Sequence, residues 1–494
     1  MTLRSRSTSA RPGSHHETDH LLAKKARVKP NPLPKFQLAV IYAIKLTLPI
    51  AHTQAMPYYN VLIGKLAASE GADTGYYSGV THSVASVATF TSMFVWGRLS
   101  DSWGRRPVIF LGTAVTAFFT LGFGLSGSLA GLILNRMLAG FFHGITGAIH
   151  SVVGELCDET NESIAFPLYD IISALGFAIG PLIGGTFENP AKRWPDVFSS
   201  PLWHNYPYLL PCLISSILSA GAALLAVFVL EETLPAKQKH LIADEEPAVV
   251  ATSSDSIIDL PEEDVKPHSV KELLSIPVLR AVFASSSALG FAGSAFNSGF
   301  ILMAYTPLEQ GGLALSPSQI GRALSGMGAV SIPLKLCMPV LLRRFGTLNV
   351  FDFAMLAWTA CFLSMPLASW VAQASVATTP VDGLLEEKYR EGGAAEWASV
   401  ALTLFLSRLG CLAFSIIMIL TRDHTPGHAS LGTANGLAEL AQSLAGAAGP
   451  TVISSLFAIS AKTHLLGGYM WVVFMLVLSA FGSWMVKRIR KYRD

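Results

Sequence analysis

The sequence predicts an all-α membrane protein: twelve transmembrane helices in two pseudo-symmetric six-helix bundles. Three observations lead there. Hydrophobic residue types make up 51% of the 494-residue chain and charged ones only 14%, whereas soluble domains carry about 25% charged residues. The apolar residues gather into twelve segments of the length a spanning helix needs, about 20 residues at about 1.5 Å each for a hydrocarbon core about 30 Å thick. A polar, acidic stretch in mid-chain leaves six of these segments on either side.

Residues 1–35 are basic, polar and proline-bearing, without the apolar core of a secretory signal, and read as a disordered cytosolic tail. The first bundle, 36–230, holds spans near 36–62, 75–97, 107–126, 129–152, 164–187 and 206–230. The first of these is interrupted by Pro49 and Pro57, and only "SGS" at 126–128 separates the third from the fourth. The sixth carries no charge at all. A linker at 231–275 follows, without helical periodicity until about Val270. The second bundle, 276–487, holds spans near 277–305, 317–342, 349–373, 397–421, 430–459 and 465–486, and a basic tail at 488–494 closes the chain.

The formal net charge of +2 says little, because the charges sit almost wholly in tails and loops. Their position says more. With both ends inside, the cytosolic segments collect the tail lysines and arginines, Arg98, Arg105, Arg106, Arg343, Arg344, Arg422 and "KRIRKYRD". That bias predicts cytosolic termini.

The halves echo one another. Arg136 in the fourth span answers Arg408 in the tenth, and Gly180-Pro181 in the fifth answers Gly449-Pro450 in the eleventh. "RRFGTLNVF" at 343–351 is a degenerate copy of the turn between the second and third spans. Three correspondences in the same order point to a duplication, as transporters commonly show.

That turn reads "GRLSDSWGRRP" at 97–107. Gly97 and Gly104 allow a helix to end and the chain to reverse. Asp101, Arg105 and Arg106 lie at the membrane edge, where an ion pair is worth more than in open water, and Glu155 and Asp158 beyond the fourth span are placed to meet the arginines. The expectation is a cytosolic gate latch; the plain alternative is a positive-inside anchor. The motif resembles the loop between the second and third helices of the major facilitator superfamily. Gly97, Leu99, Asp101, Gly104, Arg105 and Arg106 match in place, while Ser102 stands where the family usually has a basic residue. "GFAIGPLIGG", with Gly176, Gly180, Pro181, Gly184 and Gly185, resembles the motif of proton-coupled antiporters in that superfamily. Glycines at such spacing also permit ordinary close helix packing. "LPIAHTQAMPYYNVLI", "GYYSGV", "HNYPYLLPCLISS" and "LGTANGLAELAQSLAGAAGP" are similar to the zinc-induced-facilitator-like branch of drug:proton antiporters. The resemblance implies a major facilitator fold and export or sequestration of a small organic solute, drug-like compound or metal chelate in exchange for protons. No cofactor is implied beyond the proton gradient, and the expected partners are solute, protons and lipid, without nucleic acid, for a chain working as a monomer.

Ionisable residues inside spans are costly and so mark function. Glu439 lies about nine residues into the eleventh span with Gln442 and Gly446 on its face, Asp170 a turn and a half into the fifth, and His143 on a stripe with Arg136, Gly140 and Gly147. A carboxylate in a low-dielectric surround favours its neutral form, so Glu439, Asp170 and His143 are the proton-coupling candidates. Arg136, Arg408, Lys45, His52, Gln442 and Lys335 are candidates for a central cavity, with Arg408, Lys335 and Arg322 as possible counterions. No metal site is expected: the five cysteines stand singly, and "HHETDH" is a short tail cluster. No Walker loop, H-E-x-x-H or G-x-S-x-G elbow indicates an enzyme. "ETDHLL" at 17–22 has acidic-dileucine spacing, leaving vacuolar and plasma membranes both open. A uniporter or symporter for a nutrient, or a non-transporting sensor on the same fold, is the alternative reading.

Overall fold

The computed structural model describes residues 33–71, 74–157, 161–234, 269–377, 392–426, 430–463 and 468–493. Twelve long helices carry the architecture: α1 (Lys35–Thr53), α2 (Thr74–Trp103), α3 (Arg105–Gly124), α4 (Leu129–His143), α5 (Glu162–Phe187), α6 (Leu209–Phe228), α7 (Pro277–Tyr305), α8 (Pro317–Phe345), α9 (Thr347–Ala377), α10 (Ala394–His424), α11 (Leu431–Thr463) and α12 (Met470–Arg493). Among the described residues, eleven helices are long and apolar enough to cross a membrane, α4 being counted with its continuation as Leu129–Leu156. The exception is α2, at 30 residues, whose face is rich in hydroxyls. Thr81, Ser86 and Thr89 each donate to the carbonyl four residues back, which satisfies these polar groups within the helix.

The helices alternate in direction. The α2–α3 turn meets Glu155, on the helix Thr146–Leu156 that follows α4, and Glu232 just past α6, and Gln37 at the start of α1 meets Val229 and Glu231. We call this side, where α1 starts and α12 ends, the terminal face. The other is the far face.

Two expected spans are broken. The first stops at Thr53, turns through residues 54–58 around Pro57, which has no N–H to give, and resumes as a helix at Tyr59–Glu70. The fourth stops at His143 and resumes at Thr146–Leu156. There the Trp96 indole on α2 donates to the Phe141 carbonyl at 2.7 Å, the acceptor that an unbroken helix would offer to residue 145. Where "SGS" precedes α4, the Ser128 side chain caps the helix on the Gly131 N–H. At α8, Ser316 and Gln319 form a capping box.

Each half has its own core. In the second, Trp358 stacks on Phe362 and meets Phe296 edge-on, all buried. In the first, Ile41, Ile44, Val108, Ile149 and Val152 pack together. The halves meet along α5 with α8 and α2 with α11. A Cβ on Gly321 of α8 would lie 2.6 Å from the Pro181 carbonyl oxygen, and one on Gly79 of α2 would lie 2.8 Å from that of Pro450. The paired prolines therefore turn their carbonyls toward equivalent glycines of the opposite half. Gly180 likewise rests on α1 at Thr53 and Gly449 on α7 at Ala295, so the sequence echo corresponds to a repeated packing device.

Candidate functional site

Two adjoining cavities occupy the middle of the molecule. One, about 140 Å³, is set in the first half between α1, α2, α3 and α4 and is closed by α7 and Pro450. The other, about 330 Å³, lies between α5, α7, α8, α10 and α11. Met56, Ser294 and Asn297 line both, so the cavities adjoin at these side chains; together they are called the chamber.

Arg136 sits in the first cavity, buried, with its guanidinium 5.4 Å from the Tyr59 ring and 5.7 Å from the Phe123 ring. His52 and His143 line the same cavity with ring centroids 5.6 Å apart. Arg408 and Gln442 line the second, and Arg408 Nε donates to Ser407 Oγ at 3.3 Å. Four of the six central-cavity candidates therefore reach the chamber.

The other two do not. Lys45 is buried on α1 with its ammonium 4.6 Å from the centre of the Tyr169 ring, and Lys335 on α8 approaches Asp170 on α5 at 3.6 Å. That ion pair crosses from one half to the other, so Asp170 has a partner and lies off the chamber. Glu439 makes no hydrogen bond or ion pair among the described residues. It sits one turn from Gln442 on the terminal-face side, about 4.5 Å along α11 by helix rise, so none of the expected counterions reaches it. Arg322 lines a separate cavity between α8 and α10. Gly147 lies past the break in α4 and off the Arg136 stripe.

At the terminal face, Arg105 is the hub of the predicted latch. Its Nε and Nη2 donate to Glu155 Oε1 at 3.0 and 2.8 Å, and its Nη1 donates to Asp101 Oδ1 and Ser100 Oγ, each at 2.7 Å. The Glu232 carboxylate accepts from the backbone N–H groups of Arg105 (2.8 Å) and Arg106 (3.2 Å), at the N-terminus of α3 where the helix dipole favours an anion. The Arg106 side chain donates to the Val227 carbonyl. Asp158 lies outside the described residues, as do "HHETDH" and "ETDHLL".

Gly97 departs from expectation. It lies within α2, which continues to Trp103, and nothing occupies the space beside it. Gly104 alone makes the turn, at φ +102, and a Cβ there would run into the Glu232 carboxylate. The glycine stripe of α5 is likewise a packing surface: Gly176 meets Pro49, Gly180 meets Thr53, Gly184 meets the Gln54 carbonyl, and Gly185 faces Pro317 and Gly321 across the halves.

Sequence reasoning missed several chamber residues. His82 on α2 lies 4.3 Å from the Tyr59 ring, and Asn135 and Asn297 also face the cavity. A hydroxyl-rich span interrupted by one histidine, and an asparagine within apolar α7, were the available signals. Among the described residues, no group of three or more histidine, cysteine or acidic side chains is arranged to hold a metal.

Twelve long helices among the described residues, in two pseudo-symmetric halves around a shared polar chamber, are the build of a membrane transporter. The sequence profile of the Major Facilitator Superfamily matches residues 55–450, and the chain belongs to that family. It is 35% identical to the major facilitator-type transporter psiT2 of Psilocybe cyanescens over 510 aligned residues, covering 97% of this chain and 96% of that one. It is 28% identical to ZINC INDUCED FACILITATOR-LIKE 1 of Arabidopsis thaliana, over 91% and 90% of the two chains. In fold it is similar to the crystal structure of a bacterial homologue of the human lysosomal transporter Spinster, at TM-score 0.63 and 14% identity over 94% of this chain and 98% of that one.

Proposed function

We propose that the protein is a proton-coupled antiporter that exports or sequesters a small organic solute, drug-like compound or metal chelate by alternating access. The observation that carries this reading is the chamber itself, built from both halves and lined by one arginine from each. A site divided between two bodies changes its exposure when the bodies rock, which is how a secondary transporter moves solute without a nucleotide.

Closure is uneven in a way that fits. Backbone meets backbone toward the far face, at Gly185 with Gly321 and at Gly79 with Pro450. Toward the terminal face, the long Lys335 side chain reaches the Asp170 carboxylate and bridges the halves. An ion pair of this kind opens when its acid is protonated, which makes Asp170 the leading coupling residue. Glu439, unpaired beside the chamber, and His143 within it are the other two. In this reading the terminal face is cytosolic, the membrane is vacuolar or plasma, the proton gradient is the only energy source and the monomer is the working unit.

Purified protein in proteoliposomes tests it. An imposed pH gradient should drive uptake of a small-molecule panel member above its external concentration, and Asp170→Asn or Glu439→Gln should uncouple that uptake from pH. Uptake indifferent to the gradient would make the protein a uniporter. No uptake of any compound would favour a sensor on the same fold.

A further inference from the structure

Among the described residues, two arginines and no acidic side chain line the chamber, Glu439 lying one turn of α11 outside its lining. Arg136 is 92% buried, its relative exposure being 8%, and its Nε has no hydrogen-bond acceptor. The Asn135 side-chain oxygen, in the same cavity, has no partner among the described residues and offers an acceptor to a ligand N–H or O–H. Arg408, in the cavity of the other half, forms no ion pair among the described residues. No aspartate or glutamate lines either cavity. A buried ion without a partner is strongly unfavourable, whereas an opposite charge brought against it in a low-dielectric site offsets that penalty.

We propose that the chamber takes a small aromatic organic anion, its anionic group held by Arg136 and its ring lying among the histidine and phenylalanine rings around that arginine. The inference rests on the transporter reading and names its substrate class. The sign follows from the charge: a cation entering the chamber meets arginine in both halves and no acid. The aromatic character follows from the walls. His52, His82, His143, Phe119 and Phe123 line a cavity of about 140 Å³, room for a flat ring system rather than a bulky aliphatic one, and aromatic faces and edges favour such a guest. The remainder of the ligand extends past Asn297 toward Arg408 and Gln442. The arginine thus acts as anchor and the second cavity as the space in which side groups differ.

Three probes separate the terms: indole-3-acetate, tryptamine and acetate, which share a ring with opposite charge or a charge without the ring. Equilibrium binding to the full-length protein in detergent, by calorimetry, should favour indole-3-acetate over each of the others by at least tenfold. Arg136→Gln should weaken indole-3-acetate binding at least tenfold, Arg136→Lys should restore part of it, and Arg322→Gln, in the side cavity, should leave it unchanged. If Arg136→Gln does not fold, the wild-type ranking and Arg408→Gln carry the decision. Equal or tighter binding of tryptamine, equal binding of acetate, or no binding of indole-3-acetate overturns the proposal. The two readings fail separately. Gradient-driven uptake of tryptamine alone would keep the transporter and discard the anion, while anion binding without flux of any solute would do the reverse.

Discussion

Gly321→Ala is the perturbation whose effect follows most directly from the geometry. The added Cβ would lie 2.6 Å from the Pro181 carbonyl oxygen and 2.9 Å from the Gly185 Cα, both backbone atoms of the opposite half. Backbone cannot rotate out of the way as a side-chain tip does, so the halves must separate locally. Overpacking of this kind costs about 1–3 kcal/mol. Because the contact joins the halves at the far face, the cost falls on the state closed there and not on the fold of either half. A penalty of about 1–3 kcal/mol shifts a two-state ratio by roughly 5–150-fold. Spin labels at Lys192 and Glu309, exposed residues on the far face of the two halves, report the gap by pulsed electron resonance, in a background without the native cysteines. The short-distance population should shrink in Gly321→Ala and be unchanged in Gly97→Ala, where a Cβ meets nothing. A Gly321→Ala distance distribution identical to that of the parent would show that this contact does not hold the halves together.

Two further outcomes follow from the terminal face. Gly104→Ala combines a backbone at φ +102 with a clash on the Glu232 carboxylate and should lower thermal stability by about 1–3 kcal/mol; a melting temperature within error of wild type would contradict the turn described. Arg105→Gln should cost about 1.5–3 kcal/mol through its bonds to Glu155, with side chains only 10% and 21% exposed, whereas Asp101→Asn, on a side chain 66% exposed, should cost less than about 1 kcal/mol. Equal losses in denaturation would show that Asp101, not Glu155, is the principal partner.

What the sequence made legible was local and repeated. Spanning helices announce themselves by length and apolarity, and the Gly180-Pro181 and Gly449-Pro450 pairs proved to be equivalent contacts because a duplication preserves the packing along with the residues. Arg136 and Arg408 could be placed in the interior for the same reason that charges are rare in lipid. Features set by a neighbouring helix were not legible. The break in α4 depends on an indole that Trp96 brings from α2, and α2 runs past Gly97 because the glycine that turns the chain is Gly104. Partner choice was equally hidden: Asp170 meets Lys335 only through the contact of the two halves, and Glu439 has none of the expected counterions within reach among the described residues. His82 went unnoticed because a neutral ring in a hydroxyl-rich helix leaves no charge anomaly to read.

Under alternating access, solute crosses only if the two halves separate at the far face. Ser83 Oγ on α2 and Thr451 Oγ1 on α11 lie 2.7 Å apart there, so Ser83→Cys with Thr451→Cys, in a background without the five native cysteines, places two thiols where a disulfide can form. Solute flux in proteoliposomes should stop on oxidation and return on reduction, while each single-cysteine variant keeps its flux under both conditions. Undiminished flux through the quantitatively cross-linked protein would contradict alternating access between these halves.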